Sequence, residues 1–497
     1  MRVARWFIYG FPIFLILLVG VSYWNSSNLS ADKKNEMSLG VLGEPSTLNP
    51  IQQADSAASQ VASALFNGLL KYSPELEIVG DLASAWMLDQ TTTFHFRDEQ
   101  SAIEAAAKIR TWQPEWGGWT LDRITPRGRE LLLHFIEPGL DASKEIHARL
   151  ARESFSPLAN LRVEVKDNAH RVLEKLRGAL PSGSVLREWV ESGSAFEITT
   201  DPALKEDVEK WLSANGGGTV ALAEEVDFLA EPEVVFTLRD DVRWHDGVAF
   251  TSRDAAFTFA AIMDDATASP RKPDFDLILR VEAPDAHTFR VVYRKPYSPA
   301  LESWMISMLP AHLLEGKPQS WWVRNFNRTP TGTGAFKFAD WKTNEFIRVS
   351  RNPDYFDAPG PWLDGIVYRF MPDQLTLRLA FETRQIDFWS AEPWTVNSFI
   401  DDPRFDVFTS PTSSYTYIGW NLKRPLFQDP LVRRALAHAV DVPSMVKFIL
   451  YGHGLQSTGL FTPQMWFFNP NIQPLRYDPE TARALLAEAG WLPGEDG

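Results

Sequence analysis

The residues of this chain that could do covalent chemistry do not form a compact catalytic motif. The 497-residue chain has 9 histidines, 64 acidic residues and no cysteine. Without cysteine, disulfides, thiolate nucleophiles and cysteine-based zinc or iron–sulfur sites are all excluded. No lysine-bearing phosphate loop, serine elbow or paired-histidine zinc motif occurs. The sequence therefore predicts no catalytic residues, no metal and no cofactor.

The most compact polar group is His245-Asp246-Gly247. A metal or acid–base role there would need a partner histidine or carboxylate that the spacing does not supply. Asp-Gly is instead typical of a hairpin turn. Gly452-His453-Gly454 lacks the third glycine of a dinucleotide fingerprint and is also interpreted as a turn. Carboxylate pairs of the glycosidase kind stay open as an alternative, although no spacing singles one out.

Composition and charge narrow the class of protein. Apolar residues make up 44% and charged residues 23%, as in ordinary globular domains. The net charge is −15 and no basic run stands out, which argues against nucleic acid as a partner. The 19 tryptophans indicate large core residues and, for a few, an aromatic-lined cleft.

The N-terminus predicts a membrane anchor. Arg2 and Arg5 precede an apolar run from Trp6 to Trp24, close to the length that spans a bilayer. Basic residues before the run place the N-terminus in the cytoplasm and the rest outside. A cleaved signal peptide is the alternative, but Leu29-Ser30-Ala31 is a poor and late cleavage site. Residues 1–36 are thus interpreted as an anchor or signal followed by a polar linker.

Hydrophobic periodicity predicts a mixed α and β chain beyond this linker. Helices are expected at residues 55–70, after the capping pair Thr251 and Asp254, and after two Asp-Pro pairs, Asp429-Pro430 and Asp478-Pro479. Strands are expected at residues 38–42, 234–238, 288–293 and 346–350. Residues 98–232 differ from the rest of the chain in having many charged residues and a helical periodicity of apolar residues. They are interpreted as a small α/β module.

Several segments, in the same order along the chain, resemble the family 5 extracellular solute-binding proteins, which are the dipeptide-, oligopeptide- and nickel-binding components of ABC transporters. The most specific is VFTLRDDVRWHDG at Val235–Gly247, with FTSRD after it. The others are LGEPSTLNP at Leu42–Pro50, LFNGL at Leu65–Leu69, LASAW at Leu82–Trp86, PTGTGAFKF at Pro330–Phe338, RNPDYF at Arg351–Phe356, and Asn421 with the run Pro425–Leu436. Together these segments cover residues 39–97 and 233–497.

The chain departs from the family pattern in two respects. Thr93–Asp98 and Phe236–Asp240 look alike but stand far apart, so residues 98–232 are interpreted as an insertion at a hairpin. Family members continue well beyond Gly497, and an aspartate that pairs with the ligand's amino terminus in peptide-binding members lies in that later part. The third domain is therefore expected to be incomplete, with exposed core, poor solubility or a loose region after about residue 410.

The resemblance implies an α/β, two-lobed periplasmic-binding-protein-like fold with an extra domain, joined by a hinge. The implied division is residues 37–70 and 330–410 for the first lobe, 71–97 and 233–329 for the extra domain, 98–232 for the inserted module, and 411–497 for the incomplete second lobe.

The resemblance also implies the function. It predicts a protein that is not an enzyme and that captures a peptide-like or other small ligand outside the cytoplasm. Hinge closure would bury the ligand before delivery to an ABC transporter permease. Two alternatives stay open: a membrane-tethered sensor or scaffold that binds a protein through the inserted module, and an extracytoplasmic hydrolase.

Seven residues are predicted to bind the ligand. The turn that contains Glu44, Ser46 and Thr47 is expected to face the cleft from the first domain. Tyr415 and Tyr417 alternate onto one face, where they either line the cleft or pack in the core. The remaining two candidates are Trp420 and Trp466, the latter in an apolar loop.

Overall fold

The computed structural model describes residues 35–112, 120–136, 142–150, 155–357, 359–410, 414–463, 465, 468–492 and 494, with only the backbone at 191 and 192. The predicted anchor and Trp466 lie outside these residues. Within the described ranges, no helix is long and apolar enough to cross a membrane.

The strands alternate irregularly with the helices. The strands are β1 (Glu36–Leu42), β2 (Leu70–Tyr72), β3 (Ile78–Gly80), β4 (Ala83–His95), β5 (Thr120–Arg127), β6 (Glu130–Ile136), β7 (Leu158–Val165), β8 (Val185–Ser192), β9 (Ala195–Thr200), β10 (Gly218–Val226), β11 (Phe228–Leu238), β12 (Ile278–Asp285), β13 (Thr288–Tyr293), β14 (Phe336–Lys342), β15 (Phe346–Arg351) and β16 (Gly365–Met371).

The helices are α1 (Ser56–Leu65), α2 (Glu99–Trp112), α3 (Ala142–Arg149), α4 (Ala169–Ala179), α5 (Lys205–Ala214), α6 (Ser252–Met263), α7 (Ala311–Leu314), α8 (Gln319–Asn325), α9 (Gln374–Glu382), α10 (Pro393–Val396), α11 (Pro425–Gln428), α12 (Pro430–Ala439), α13 (Val442–Phe448) and α14 (Pro479–Glu488). The helices predicted at both Asp-Pro pairs are confirmed, because Asp429 and Asp478 accept hydrogen bonds from the first-turn amides of α12 and α14.

A small sheet with the order β1-β16-β15-β14 carries the N-terminal strand. β1 pairs in parallel with β16, although more than 300 residues separate them, while the other pairs are antiparallel. Apolar side chains of this sheet join the largest core of the molecule, which also contains Trp244 and Trp304. The sheet thereby fixes the direction in which the chain leaves β1 at Leu42.

The two similar sequence segments, around Phe94 and Phe236, lie on neighbouring antiparallel strands. β4 and β11 pair from Trp86 opposite Phe236 to Phe94 opposite Phe228. The chain leaves this pair after His95 and returns at Phe228. The intervening residues therefore start and finish at one end of a β4–β11 ladder.

Together with β4 and β11, the intervening residues form two α/β arrangements. β4-α2-β5-β6-α3-β11 is a β-α-β-β-α-β unit whose strands lie in the order β11-β4-β6-β5, within a six-stranded sheet that also holds β12 and β13. A second unit, β7-α4-β8-β9-α5-β10, has the corresponding order β10-β7-β9-β8 and is nested between α3 and β11. Each of these two β-α-β-β-α-β arrangements has its own apolar core. The first core includes Phe94 and Phe135, and the second includes Phe196 and Leu176.

The chain divides into two compact units. Unit 1 comprises the described residues up to Lys71 together with Ile78–Gln374, and all three apolar core clusters lie within it. Unit 2 comprises Tyr72–Glu77 and the chain from Leu375 onward. The lobe boundary at 410/411 that the sequence predicts stays a prediction.

Unit 2 is helical in its described part, and few of its apolar side chains are buried. α12 and α14 pack on each other, with Val432, Ala435 and Ala482 buried. A separate aromatic group surrounds Phe381 and Phe399, whose ring centroids lie 5.9 Å apart. Many large apolar side chains remain in solvent, among them Phe408 at 87%, Leu455 at 77% and Leu492 at 74% exposure.

Candidate functional site

The turn that follows β1 holds the first three predicted site residues. Gly43 has a φ of +76°, which an L side chain rarely adopts, and its N–H donates to the Met371 carbonyl at 2.9 Å. Beyond it, the Trp341 indole N–H donates to Glu44 Oε1 at 2.6 Å, and the Asn344 N–H donates to Oε2 at 3.0 Å. Both carboxylate oxygens of Glu44 therefore have partners on the β14–β15 hairpin.

A cation completes this arrangement. The Arg328 guanidinium lies 3.5 Å from Glu44 Oε1 and 4.1 Å from the centre of the Trp341 ring. A stacked guanidinium beside a hydrogen-bonded carboxylate keeps all three side chains in one orientation. Glu44 is consequently held in one orientation at the start of the turn.

Ser46 and Thr47 make local hydrogen bonds. The Ser46 hydroxyl donates to Asp55 Oδ2 at 2.8 Å, and Thr47 Oγ1 accepts from the Asn49 N–H at 3.1 Å. Partial burial raises the pKa of Asp55, but hydrogen bonds from the Ala58 and Ser46 N–H groups and the Ser46 hydroxyl outweigh this and hold it below its usual range. Asp55 thus caps α1 as a carboxylate, and the exposed Ser46 is held beside it.

A network of side-chain amides joins Asn49 and Gln52, which follow the turn in the chain, to Asn327. The Asn49 side-chain amide donates to Gln52 and to Asn327, at 3.2 Å in both cases. Gln52 in turn donates to the Thr267 carbonyl at 3.0 Å, and Gln319 donates to the Thr267 hydroxyl at 2.9 Å. Because Asn49 is fully buried, its two hydrogen bonds replace those that water would otherwise supply. Only the fold reveals this network, because its residues are far apart in the sequence.

The His245-Asp246-Gly247 group is a turn, as predicted, and His245 has a structural contact. The Gly332 N–H donates to His245 Nδ1 at 3.1 Å, so the imidazole proton is on Nε2, which donates to the Gly334 carbonyl at 3.0 Å. Burial of the ring lowers the pKa of His245 to about 4; the bond to Gly334 opposes this change, and the Lys337 ammonium adds to it. The neutral His245 therefore holds the loop of the PTGTG segment by two hydrogen bonds.

Three of the family-like segments meet at Asn67. Its amide donates to Asp81 Oδ2 at 2.9 Å and to the Tyr355 hydroxyl at 3.2 Å, and it accepts from the Thr333 hydroxyl at 3.0 Å. Burial raises the pKa of Asp81, opposed by the Asn67 hydrogen bond and by the Lys71 ammonium at 3.2 Å. Asn67, Thr333 and Tyr355 each belong to a family-like segment, and this membership was the signal available in the sequence.

In unit 2, the structure brings two predicted tyrosines together. The rings of Tyr415 and Tyr417 lie 5.8 Å apart and are 40% and 70% exposed, so neither is a core residue in this structure. Trp420 is half-buried and its ring lies 5.1 Å from that of Phe427. Tyr415 and Tyr417 therefore form an exposed aromatic pair, while Trp420 packs against Phe427.

The described side chains offer binding groups rather than a metal centre. Among the residues that the structure describes, no group of three histidines or acidic residues is arranged to hold a metal ion. The described side chains include the Glu44 carboxylate and the exposed Ser46 hydroxyl in unit 1, and the exposed tyrosine pair in unit 2. Polar anchors and aromatic faces are the elements that orient and cover a small polar ligand.

Comparison with known proteins gives curated relatives named for peptide binding and for nickel binding. The oligopeptide-binding protein AppA of Bacillus subtilis is 31% identical over 262 residues, which are 51% of this chain and 48% of AppA. The nickel-binding periplasmic protein of Escherichia coli is 27% identical over 261 residues, 52% of this chain and 50% of that protein. This chain thus spans about half the length of these curated relatives.

The crystal structure of NikZ from Campylobacter jejuni in complex with Ni(L-His) has a similar fold. It superposes with a TM-score of 0.55 at 20% identity, over 93% of this chain and 65% of NikZ. The predicted α/β fold class of periplasmic binding proteins is thereby confirmed. The model of the bacterial extracellular solute-binding proteins, family 5, matches residues 221–497, more than half of the sequence. This chain belongs to the family 5 bacterial extracellular solute-binding proteins.

Proposed function

We propose that this protein captures a small peptide-like ligand outside the cytoplasm and presents it to an ABC transporter permease. Membership of a solute-binding family carries the proposal. The relatives named for peptide and nickel binding indicate the range of ligands. An extended peptide can be held by backbone hydrogen bonds, which give affinity for many sequences.

In unit 1 the ligand would contact the turn at Glu44, Ser46 and Thr47. In unit 2 it would contact Tyr415, Tyr417 and Trp420, and Trp466 is a further candidate. The hydroxyls would hydrogen-bond a backbone, and the exposed rings would cover its side chains. Residues 6–24 would anchor the chain in the membrane, and the chain would divide into the lobes, extra domain and inserted module that the sequence predicts.

The test is a thermal-melt screen of the purified chain against a mixed library of dipeptides to pentapeptides. A ligand that binds only the folded state raises the melting temperature, and an excess of one hundred times Kd adds about 2.7 kcal/mol to the free energy of unfolding. No shift in a cooperatively melting protein would contradict the proposal. Mass spectrometry of the recovered peptide distinguishes binding from hydrolysis, because a hydrolase would return fragments.

Two matched pairs of variants then test the assigned residues. Tyr417→Ala should reduce the ligand-induced shift, whereas Tyr477→Ala, which removes another exposed tyrosine of unit 2, should not. Ser46→Ala is compared in the same way with Ser63→Ala, an exposed serine on α1. The measurement is the change that ligand causes in each variant, so an effect of the mutation on stability alone cancels.

A further inference from the structure

The strand β10 is the edge of the nested sheet. In the order β10-β7-β9-β8, β10 has β7 on one side, and no described strand lies on the other. Of its nine residues, only Val220 and Val226 are even partly buried. Its outer N–H and C=O groups thus form a row open to another extended strand.

The first six residues of β10, Gly218–Ala223, carry no charge and no proline. Leu222, near the middle of the strand, is 44% exposed. Natural edge strands usually carry charges, prolines or covering segments that prevent pairing with another chain. Gly218–Ala223 lacks the first two of these features.

The other edge of this sheet and both edges of the six-stranded sheet are protected. β8, the opposite edge of the same sheet, is covered: the Trp189 indole donates to the Asp276 carbonyl at 2.7 Å, and the Arg294 guanidinium stacks 4.1 Å from its ring. The edges of the six-stranded sheet, β5 and β12, carry prolines and charges instead. These residues are Asp122, Arg123, Pro126 and Arg127 in β5, and Arg280, Glu282, Pro284 and Asp285 in β12.

The geometry of β10 defines the part that can pair. Gly218–Leu222 runs in regular register with Val165–Leu161 of β7, and the register shifts between Leu222 and Glu224. The Glu224 carboxylate accepts a hydrogen bond from Asn160 of β7 at 2.9 Å, so that side chain is held towards its own sheet. The regular segment is therefore centred on Val220.

We propose that β10 pairs with β10 of a second copy of this chain, antiparallel and about a two-fold axis at Val220. The two nested sheets would then join into one continuous sheet across the two copies. In this register Gly218 faces the second copy's Leu222, and Thr219 faces its Ala221, so the uncharged segment is complementary to itself.

Charge selects the antiparallel arrangement. A parallel pair would place Glu224 and Glu225 of both copies side by side, which is unfavourable. In the antiparallel pair the two Glu224 residues are separated by about 27 Å along the strands at ~3.4 Å per residue. That distance exceeds the screening length of about 8 Å at physiological ionic strength. The acidic ends of β10 therefore do not oppose the pairing.

Cysteine cross-linking tests the register, because the natural chain has no cysteine and so gives no background. Thr219→Cys and Ala221→Cys chains are purified separately in detergent and oxidised alone and as a mixture. The mixture should give about tenfold more disulfide dimer than either alone, since only unlike pairs bring the Cβ atoms to the ~4 Å that a disulfide requires. Thr125→Cys, exposed on the edge strand β5, is the matched control and should cross-link weakly.

The second measurement is mass against protein concentration by analytical ultracentrifugation. The natural chain should approach twice the monomer mass as concentration rises. Thr219→Lys/Ala221→Lys, which places like charges opposite each other, should remain monomeric, while Thr125→Lys should associate as the natural chain does. Self-association that survives the β10 lysines, or equal cross-linking at β5 and β10, overturns the proposal. If the natural chain stays monomeric at every concentration, the proposal is also overturned. The partner of β10 would then have to be a strand from a different protein.

Discussion

At the scale of single residues, His245 is a side chain whose protonation and orientation are fixed by backbone groups. His245 accepts from the Gly332 N–H and donates to the Gly334 carbonyl. A protonated imidazole would carry an N–H at both nitrogens and lose the first of these bonds. The neutral ring is therefore part of the folded state.

The free energy of unfolding should depend on pH through His245. Its pKa is about 4 in the folded protein and about 6.5 when unfolded, so the unfolded chain takes up the proton first as the pH falls. The contribution is complete above pH 6.5 and is lost as the pH falls towards 4, with a total loss of about 3 kcal/mol. Chemical denaturation at a series of pH values measures this loss.

His245→Gln provides the comparison for this prediction. The variant should be less stable than the natural protein at neutral pH, because glutamine does not reproduce both hydrogen bonds. Its stability should fall less between pH 6.5 and 4, since the titrating group is gone. Parallel pH profiles for the two proteins would show that His245 is not the group responsible.

At the scale of elements, the PTGTG loop lies against the last turn of α1 at a distance that only glycine permits. A Cβ on Gly332 would lie 1.8 Å from the Leu65 carbonyl oxygen, and one on Gly334 would lie 2.5 Å from that of Ala64. The Gly334 N–H donates to the Leu65 carbonyl at 2.9 Å. Backbone contact rather than side-chain packing therefore joins this loop to α1, and α1 begins beside the proposed binding turn.

Gly332→Ala should lower the free energy of unfolding by about 3 kcal/mol, because neither backbone can move aside without breaking hydrogen bonds. The matched control is Gly178→Ala in α4, where a Cβ meets nothing within 4 Å. That change should raise stability by up to about 1 kcal/mol, since alanine is the better helix former. Urea denaturation of both variants measures the contrast. Similar losses in the two would show that the close contact at Gly332 is unimportant.

At the scale of the whole molecule, the two compact units differ in how much apolar surface they bury. Unit 1 contains three apolar clusters, with many side chains fully buried. In the described part of unit 2, buried apolar residues are few, while Phe448, Leu455 and Phe408 are more than 60% exposed. Segments with few buried contacts open locally at low free-energy cost.

Limited trypsin digestion should therefore cut first between Leu375 and Leu492. A resistant fragment that ends near residue 374 should accumulate, identified by intact mass. The sequence alone predicts a loose region that starts at about residue 410. The exposure of apolar side chains in unit 2 places its expected start at about residue 375. A resistant fragment that still contains α12 and α14 would contradict it.

The sequence by itself determined the fold class, the family and those helices and strands that have clear local signals, such as α1, α6, α12, α14, β13 and β15. Local signals suffice for these, because capping aspartates such as Asp429 and Asp478 and the hydrophobic periodicity of α4 act within a few residues. The turn at His245-Asp246-Gly247 was predictable for the same reason. The resemblance rested on segments whose order along the chain needs no structure to read.

Tertiary structure decided which residues meet. The pairing of Glu44 with Trp341, the amide network around Asn49 and the cluster at Asn67 all join residues far apart in the chain, and no local periodicity encodes such contacts. The same holds for residues 98–232, whose strand orders follow from pairings between segments far apart in the chain. Strand order and edge exposure depend on long-range pairing, so the open edge of β10 became visible only in the folded chain.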